Sequence, residues 1–268
     1  MMNGVLFLAL LVVWQEKSDG GDPTVLPQAN AAHSTSTLVE HSSPLSTLGT
    51  KQRLNYEQWV TLLGDEISTM AAKNPDHLTI LLGDSLSLWF PTELLPGRRV
   101  WMNQGISGEK TYSLLDRLHL LDVADVDTIF LMIGINDLIW GQSDQQVLAN
   151  YRDIMDYLAT RHPNTQIVVQ SILPHGAETA TWESRSLLLE LPNERIREMN
   201  RSLEDIAQDY GAYYLELYPI FSTGEGKLRP DLTTDGLHLN REGYLVWRAA
   251  HLLYSQPELP LPPPPPTG

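Results

Sequence analysis

The stretch LTILLGDSLS, residues 78–87, decides the fold of this chain. Its first five residues form an almost continuous apolar run, which is typical of a strand buried on both faces of a sheet. Gly83 ends the run, and the Asp84-Ser85 pair that follows consists of residue types that favour the start of a helix. The stretch therefore predicts a buried strand followed directly by a helical turn.

Four further runs of similar character follow along the chain. They are RRVWMNQG (98–105), VDTIFLMIG (126–134), TQIVVQSILP (165–174) and AYYLELY (212–218). Amphipathic segments with helical spacing precede or separate the runs, for example residues 56–72 before the first run and 194–210 before the last. Strands that alternate with helices form parallel sheets covered by helices. We therefore predict a three-layer α/β/α sandwich around a five-stranded parallel sheet, of the flavodoxin-like type.

The segments outside this pattern differ in composition. Residues 18–53 are rich in Ser, Thr, Gly, Pro and Asn without apolar periodicity, which predicts a disordered linker. Residues 256–268 are dominated by proline and predict an extended tail. The folded domain is thus predicted to span residues 54–255.

An apolar run, Gly4 to Trp14, lies within the N-terminal residues 1–17. It is shorter than the roughly 20 residues that a helix needs to span a bilayer, and no Lys or Arg precedes it as in a signal peptide. A signal peptide, an uncleaved membrane anchor, a misassigned start codon and a buried N-terminal strand all remain open. The pattern leans toward export or membrane association through this segment.

Charge and cysteine content exclude several classes of protein. The 268 residues include 18 Lys and Arg against 33 Asp and Glu, for a formal net charge of -15. This charge repels phosphate backbones and argues against a nucleic-acid partner. Because the sequence contains no cysteine, disulfides, thiolate metal sites and a cysteine nucleophile are excluded.

Ser85 follows the first predicted strand. The carboxyl ends of parallel strands share one edge of the sheet, and ligands bind at that edge. The Ser85 hydroxyl is therefore expected there, together with its backbone N–H at the start of a helix. Taken alone, the Asp84-Ser85 pair is explained more simply as a helix cap.

Asp235 and His238 lie three residues apart in TDGLHLN, residues 234–240. In a turn this spacing brings the carboxylate to the imidazole Nδ1, which leaves Nε2 free to accept a serine proton. Gly105 and Asn136 follow the second and third predicted strands, where a backbone N–H and a side-chain amide can stabilise an oxyanion. Each of these features, taken separately, also suits a turn or a helix cap.

Together the segments resemble the SGNH (GDSL) hydrolases. The blocks of that family occur here in order as GDSL (83–86), Gly105, GIND (134–137) and DGLH (235–238). The resemblance covers residues 78–253, and residues 105–111 are similar to the platelet-activating-factor acetylhydrolase branch of the family. The sequence LTILLGDSLS is also similar to the lysophospholipase and thioesterase branch.

The resemblance implies a role for each matching residue. Ser85 is the implied nucleophile, His238 the general base and acid, and Asp235 the carboxylate that orients His238. The N–H groups of Ser85 and Gly105 and the side chain of Asn136 form the implied oxyanion hole. The implied activity is hydrolysis of a small-molecule, lipid or glycan ester through an acyl-enzyme, with neither a metal nor an organic cofactor.

Two tryptophans are candidates for substrate binding. Trp89 follows the serine block and Trp140 follows the block that contains Asn136, although core packing would also explain such residues. The connection from His175 to Leu191 is long enough for a lid over the site, with an ordinary surface loop as the alternative.

Several other functions are considered. The sequence around Ser85 lacks the Gly-x-Ser-x-Gly elbow of α/β-hydrolases, and the chain contains no Walker loop, dinucleotide fingerprint or His-Glu-x-x-His zinc motif. Two alternatives stay open beside the esterase. One is an O-acyltransferase that uses the same site, and the other is a catalytically silent module that binds lipid or glycan esters.

Overall fold

The computed structural model describes residues 54–97 and 99–254. The strands are β1 Leu78–Gly83, β2 Val100–Gly105, β3 Thr128–Met132, β4 Gln166–Gln170 and β5 Tyr213–Leu215. They form one sheet in the order β2-β1-β3-β4-β5, and every neighbouring pair is parallel. The predicted five-stranded parallel sheet is therefore confirmed.

Helices connect the strands. The α-helices of the described residues are α1 Tyr56–Lys73, α2 Ser85–Leu88, α3 Thr111–Arg117, α4 Ile135–Ile139, α5 Asp144–Arg161, α6 Arg185–Glu190, α7 Asn193–Asp209, α8 Tyr218–Phe221 and α9 Arg241–Tyr254. Single turns of 3-10 helix occur at Thr92–Leu94, Ala177–Thr179 and Pro230–Leu232, and a longer one at Leu118–Val123. The two helices predicted from amphipathic spacing are observed as α1 and α7, with ends that differ by at most one residue.

Successive residues of the strands point to opposite faces of the sheet. In β1, Ile80 and Leu82 belong to a core on one face, whereas Leu81 belongs to a core on the other. Helices α5 and α7 pack on the first face, and α9 packs on the second with Trp247 fully buried. Because each face is covered, apolar residues dominate the central strands β1 and β3 on both faces. The predicted three-layer α/β/α arrangement is confirmed.

Strand β1 lies between β2 and β3 in the sheet. Its last residue, Gly83, pairs with Gly105 of β2 on one side and with Met132 of β3 on the other. A Cβ at Gly83 would lie 2.0 Å from the Met132 carbonyl oxygen, so only glycine fits at this position. The chain therefore leaves the sheet at Gly83 in close contact with its neighbours, and Ser85 emerges between β2 and β3.

Some sequence predictions fall outside the described residues. They concern the apolar N-terminal segment 1–17, the linker 18–53 and the proline-rich tail 256–268. Within residues 54–97 and 99–254, no helix is long and apolar enough to cross a membrane.

Candidate active site

Ser85 is the first residue of the short helix α2. Asp84 caps this helix by accepting a hydrogen bond from the Leu86 N–H at 3.0 Å. The Ser85 side chain is largely buried, and its own backbone N–H makes no hydrogen bond to another described residue. The turn thus presents a hydroxyl and an unused N–H at the carboxyl edge of the sheet.

The structure brings Ser85, His238 and Asp235 into one hydrogen-bonded series. Ser85 Oγ lies 3.2 Å from His238 Nε2, and His238 Nδ1 lies 2.8 Å from Asp235 Oδ2. An ionised Asp235 can only accept, so Nδ1 carries the proton and Nε2 accepts from the serine hydroxyl. This is the tautomer in which His238 can remove the Ser85 proton.

Asp235 is held in its ionised form. Partial burial raises the pKa of Asp235, but hydrogen bonds from the His238 ring and from the His238 and Leu237 backbone N–H groups outweigh it. The pKa therefore lies below the ordinary value for aspartate. The carboxylate can stabilise an imidazolium on His238 without taking its proton.

The turn that carries Asp235 is fixed by a segment distant in sequence. Thr181 and Trp182 donate their N–H groups to the Asp235 carbonyl at 2.7 and 3.0 Å, and the Gly176 N–H donates to the Gly236 carbonyl at 2.7 Å. The connection from His175 to Leu191 therefore packs against the turn below His238. The length of this connection predicted a lid or a surface loop, and nothing in its sequence indicated the contact with the Asp235 turn.

Asn136 is the second residue of α4, and the helix is preceded by Gly134, which adopts a positive φ of 119°. Its Nδ2 donates to the Glu109 carbonyl at 3.1 Å, and its side chain is largely buried. The second N–H of the amide makes no hydrogen bond to another described residue. It is available to a ligand.

Gly105 ends β2 as the sequence predicts, but its backbone N–H, the expected oxyanion donor, is already hydrogen-bonded. Its N–H donates to Asn103 Oδ1 at 3.0 Å and is not free for a ligand. A Cβ at this position would lie 2.5 Å from the Leu88 N, so the glycine is needed where β2 passes against α2. The sequence predicted a free Gly105 N–H facing a ligand, and neither the contact with α2 nor the bond to a side chain two residues away is visible in the residue pattern.

The loop that follows Gly105 contains other backbone N–H groups that could serve as oxyanion donors. The Ile106 N–H donates to the Gly83 carbonyl, and the Glu109 N–H donates to the Ile106 carbonyl. Ser107 and Gly108 are exposed, and their N–H groups have no acceptor among the described residues. A single sequence offers no signal that separates these amides from that of Gly105.

The two candidate tryptophans lie in different surroundings. The Trp89 ring is half-buried against the His238 ring, with 4.2 Å between the centroids and a tilt of 40°. Trp140 is 56% exposed at the end of α4. Trp89 is thus in direct contact with the candidate base His238, whereas Trp140 lies on the surface.

A cavity of about 260 Å³ lies between α1, the end of α2 and the loop after β2. It is lined by Leu54, Tyr56, Trp59, Leu88, Ile106 and Ser107. Leu88 is three residues beyond Ser85 on α2, and this spacing places both on one side of the helix.

Among the described residues, no three His, Asp or Glu side chains are grouped as metal ligands.

Comparisons with known proteins agree with the fold and the site. The model of the GDSL-like lipase/acylhydrolase family matches residues 62–246. Over 211 residues the chain is 25% identical to the human platelet-activating factor acetylhydrolase IB subunit alpha1, an alignment that covers 73% of this chain and 82% of that protein.

Solved structures agree as well. A candidate platelet activating factor from Streptococcus pneumonia superposes with a TM-score of 0.62 at 27% identity, over 80% of this chain and 99% of that chain. A GDSL-like lipase from Bacteroides thetaiotaomicron has the same fold, with a TM-score of 0.60 at 17% identity over 73% of this chain and 97% of that chain. Since the family model spans more than half of the chain, the protein belongs to the GDSL-like lipase/acylhydrolase family and is an ester hydrolase.

Proposed function

We propose that the protein hydrolyses small-molecule carboxylic esters through an acyl-enzyme on Ser85. The observation that carries this proposal is the hydrogen-bonded series from Ser85 Oγ to His238 Nε2 and from His238 Nδ1 to Asp235, at 3.2 and 2.8 Å. These are the contacts that a serine nucleophile and its general base require.

The reaction proceeds in two stages. His238 Nε2 takes the Ser85 proton as Oγ attacks the ester carbonyl, and Asp235 stabilises the resulting imidazolium. His238 then protonates the leaving alcohol, which leaves the acyl group on Ser85. A water molecule activated by His238 attacks this acyl group, and the free acid and the serine hydroxyl are restored.

The oxyanion of each tetrahedral intermediate is bound by neutral donors. The Ser85 N–H and the unused N–H of Asn136 Nδ2 supply two of them. A third comes from the Ser107 or Gly108 N–H, since the Gly105 N–H is bonded to Asn103. These donors act on charge that develops only in the transition state and therefore raise kcat more than they lower KM.

The substrate is a small ester whose acyl or alcohol group contacts Trp89. Its ring packs against His238 beside the nucleophile. Trp140 is a second proposed contact because its exposed ring directly follows the helix that carries Asn136. The similarity to platelet-activating factor acetylhydrolase subunits supports esters with a short acyl group as the first substrates to assay.

Covalent labelling tests the proposal. A fluorophosphonate is expected to modify Ser85 alone, because among the described hydroxyl groups only that of Ser85 has the His238 imidazole as its base, with donors around the phosphorus oxygen. Peptide mass spectrometry locates the adduct, and turnover of p-nitrophenyl esters is measured in parallel. Ser85→Ala and His238→Ala are expected to lower kcat by about 1,000-fold or more with the fold intact.

Ser107→Ala is the matched control, because Ser107 is an exposed serine on the adjacent loop and the substitution keeps its N–H. It should leave labelling of Ser85 intact. An adduct on another serine, or full turnover in folded Ser85→Ala, would contradict the assignment. A labelled but non-hydrolysing enzyme that transfers the acyl group to an added alcohol would identify the acyltransferase. A folded protein with neither labelling nor turnover would identify the binding module.

A further inference from the structure

Arg117 is a buried cation near the proposed oxyanion site. It is the last residue of α3, and its side chain is only 3% exposed. Its Nε donates to Glu109 Oε1 at 2.6 Å, and its Nη2 donates to Glu109 Oε2. Burying two charges in this way is costly unless geometry and pairing are nearly complete, so the pair needs a structural explanation.

Arg117 also contacts the end of strand β2. Its Nη2 donates to the Gln104 carbonyl at 2.7 Å. The guanidinium therefore links Gln104 to Glu109. The loop of residues 105–108, which contains Ser107 and Gly108, lies between these two residues. A second contact on Glu109 comes from α1, where the Tyr56 hydroxyl lies 3.3 Å from Oε1. Arg117 thus bonds the residues at both ends of the loop that carries the proposed backbone donors.

Glu109 in turn orients Asn136. The Glu109 carbonyl accepts one N–H of Asn136 Nδ2 at 3.1 Å, and this fixes which side of the amide is NH2 and which is oxygen. With one N–H held by Glu109, the other is directed away from it and stays available. If the Glu109 carbonyl moved, the amide could rotate and present its oxygen, which would repel an oxyanion.

We propose that Arg117 is a positioning residue of the oxyanion site, acting through Glu109 on Asn136 and on the loop of residues 105–108. This inference rests on the proposed function, since it assumes that Asn136 stabilises an oxyanion on the Ser85 ester adduct. Arg117 itself touches no reacting atom. Its effect is therefore expected in kcat and not in substrate affinity.

Two variants weaken the link in different ways. Arg117→Lys keeps the charge but cannot bond the carboxylate through two nitrogens and the Gln104 carbonyl at once. The double variant Arg117→Met/Glu109→Gln removes both charges, so neither partner is left buried and unpaired. Both are expected to lower kcat by about 10- to 100-fold with KM changed less than about threefold, which is less than the roughly 100- to 1,000-fold loss for an oxyanion donor removed outright, because Asn136 is displaced and not deleted. Circular dichroism and a urea transition verify that each is folded.

A double-mutant cycle with Asn136→Ala separates positioning from general destabilisation. In the Asn136→Ala background, Arg117→Lys should lower kcat by less than about threefold, since the group on which it acts is already gone. The control is Arg161→Met at the last residue of α5, where the Arg161 side chain is 55% exposed and pairs with Asp122 of the 3-10 helix Leu118–Val123. It is expected to leave kcat unchanged.

Any of three results would overturn the proposal. The first is an equal kcat loss from Arg117→Lys in both backgrounds, and the second is a change confined to KM. The third is an unchanged kcat in Asn136→Ala. Failure of the proposed function is recognised separately, because the unmodified protein would then carry no fluorophosphonate adduct on Ser85.

Discussion

Asp84, immediately before the proposed nucleophile, is a fully buried carboxyl group. Burial raises its pKa from 3.8 to about 7, the Leu86 N–H opposes this, and the Glu109 and Asp137 carboxylates add to the increase. Its Oδ2 has no hydrogen-bond partner among the described residues. The folded protein therefore keeps Asp84 protonated at pH values where the unfolded chain ionises it.

This difference predicts a pH-dependent stability cost. As pH rises from about 4 to about 7, the unfolded state loses its proton first, so Asp84 lowers the free energy of unfolding progressively. Asp84→Asn keeps a cap oxygen for the Leu86 N–H and removes the ionisation. The free energy of unfolding of Asp84→Asn minus that of the unmodified protein should increase from pH 4 to 7 and then level off. Urea unfolding at each pH measures this difference. A difference that does not vary with pH would contradict the raised pKa.

At the scale of elements, the segment from Gly176 to Trp182 supports the turn that carries Asp235. The two meet so closely that a Cβ at Gly236 would lie 2.5 Å from the Ala180 Cα. Gly236 also has a positive φ of 86°, which favours glycine. The residue directly after Asp235 is therefore constrained by both backbone conformation and space.

Gly236→Ala is expected to displace the Asp235 turn and to lower kcat by roughly 10- to 100-fold, because small displacements of a catalytic group are costly. Gly141→Ala is the matched control, since Gly141 has a φ of 78° and no atom lies within 4 Å of its built Cβ. It carries the same backbone strain without a clash and should leave kcat unchanged. Steady-state ester kinetics would compare the two. Equal kcat values for both variants would show that contact with the segment does not position Asp235.

At the scale of the whole molecule, the residues that form the hydrophobic cores are distinct from those that form the candidate site. The two cores cover the faces of the sheet, whereas Ser85, Asn136 and His238 lie beyond the strand ends. Leu203 on α7 is fully buried in one of the cores, and Leu245 on α9 is 41% exposed. The two leucines provide a direct comparison.

Leu203→Ala is expected to lower the free energy of unfolding by about 2–5 kcal/mol because it leaves a cavity in the core. Leu245→Ala should change it by less than about 0.5 kcal/mol. Urea unfolding measures both, and kcat should be unchanged in each variant at temperatures where it is folded. A large kcat loss in folded Leu203→Ala would mean that this core also positions the site.

The sequence by itself determined the order and type of the elements and the edge at which the site lies. The apolar runs predicted a covered parallel sheet because such runs are stable only when both faces are buried. The Gly-Asp-Ser turn after the first run predicted the place of Ser85, and the family blocks predicted its partners. These features follow from neighbours in the chain, and a single sequence displays them directly.

The tertiary structure alone decided how the groups meet. It brought His238 to Ser85 across 153 positions of the chain, bonded the Gly105 N–H to Asn103, and placed residues 176–182 against Gly236. It also buried Arg117 beside Glu109, whose carbonyl accepts a hydrogen bond from Asn136. Residue types and spacings leave such contacts undetermined, because they depend on how distant segments close over one sheet edge and compete there for the same donors and acceptors.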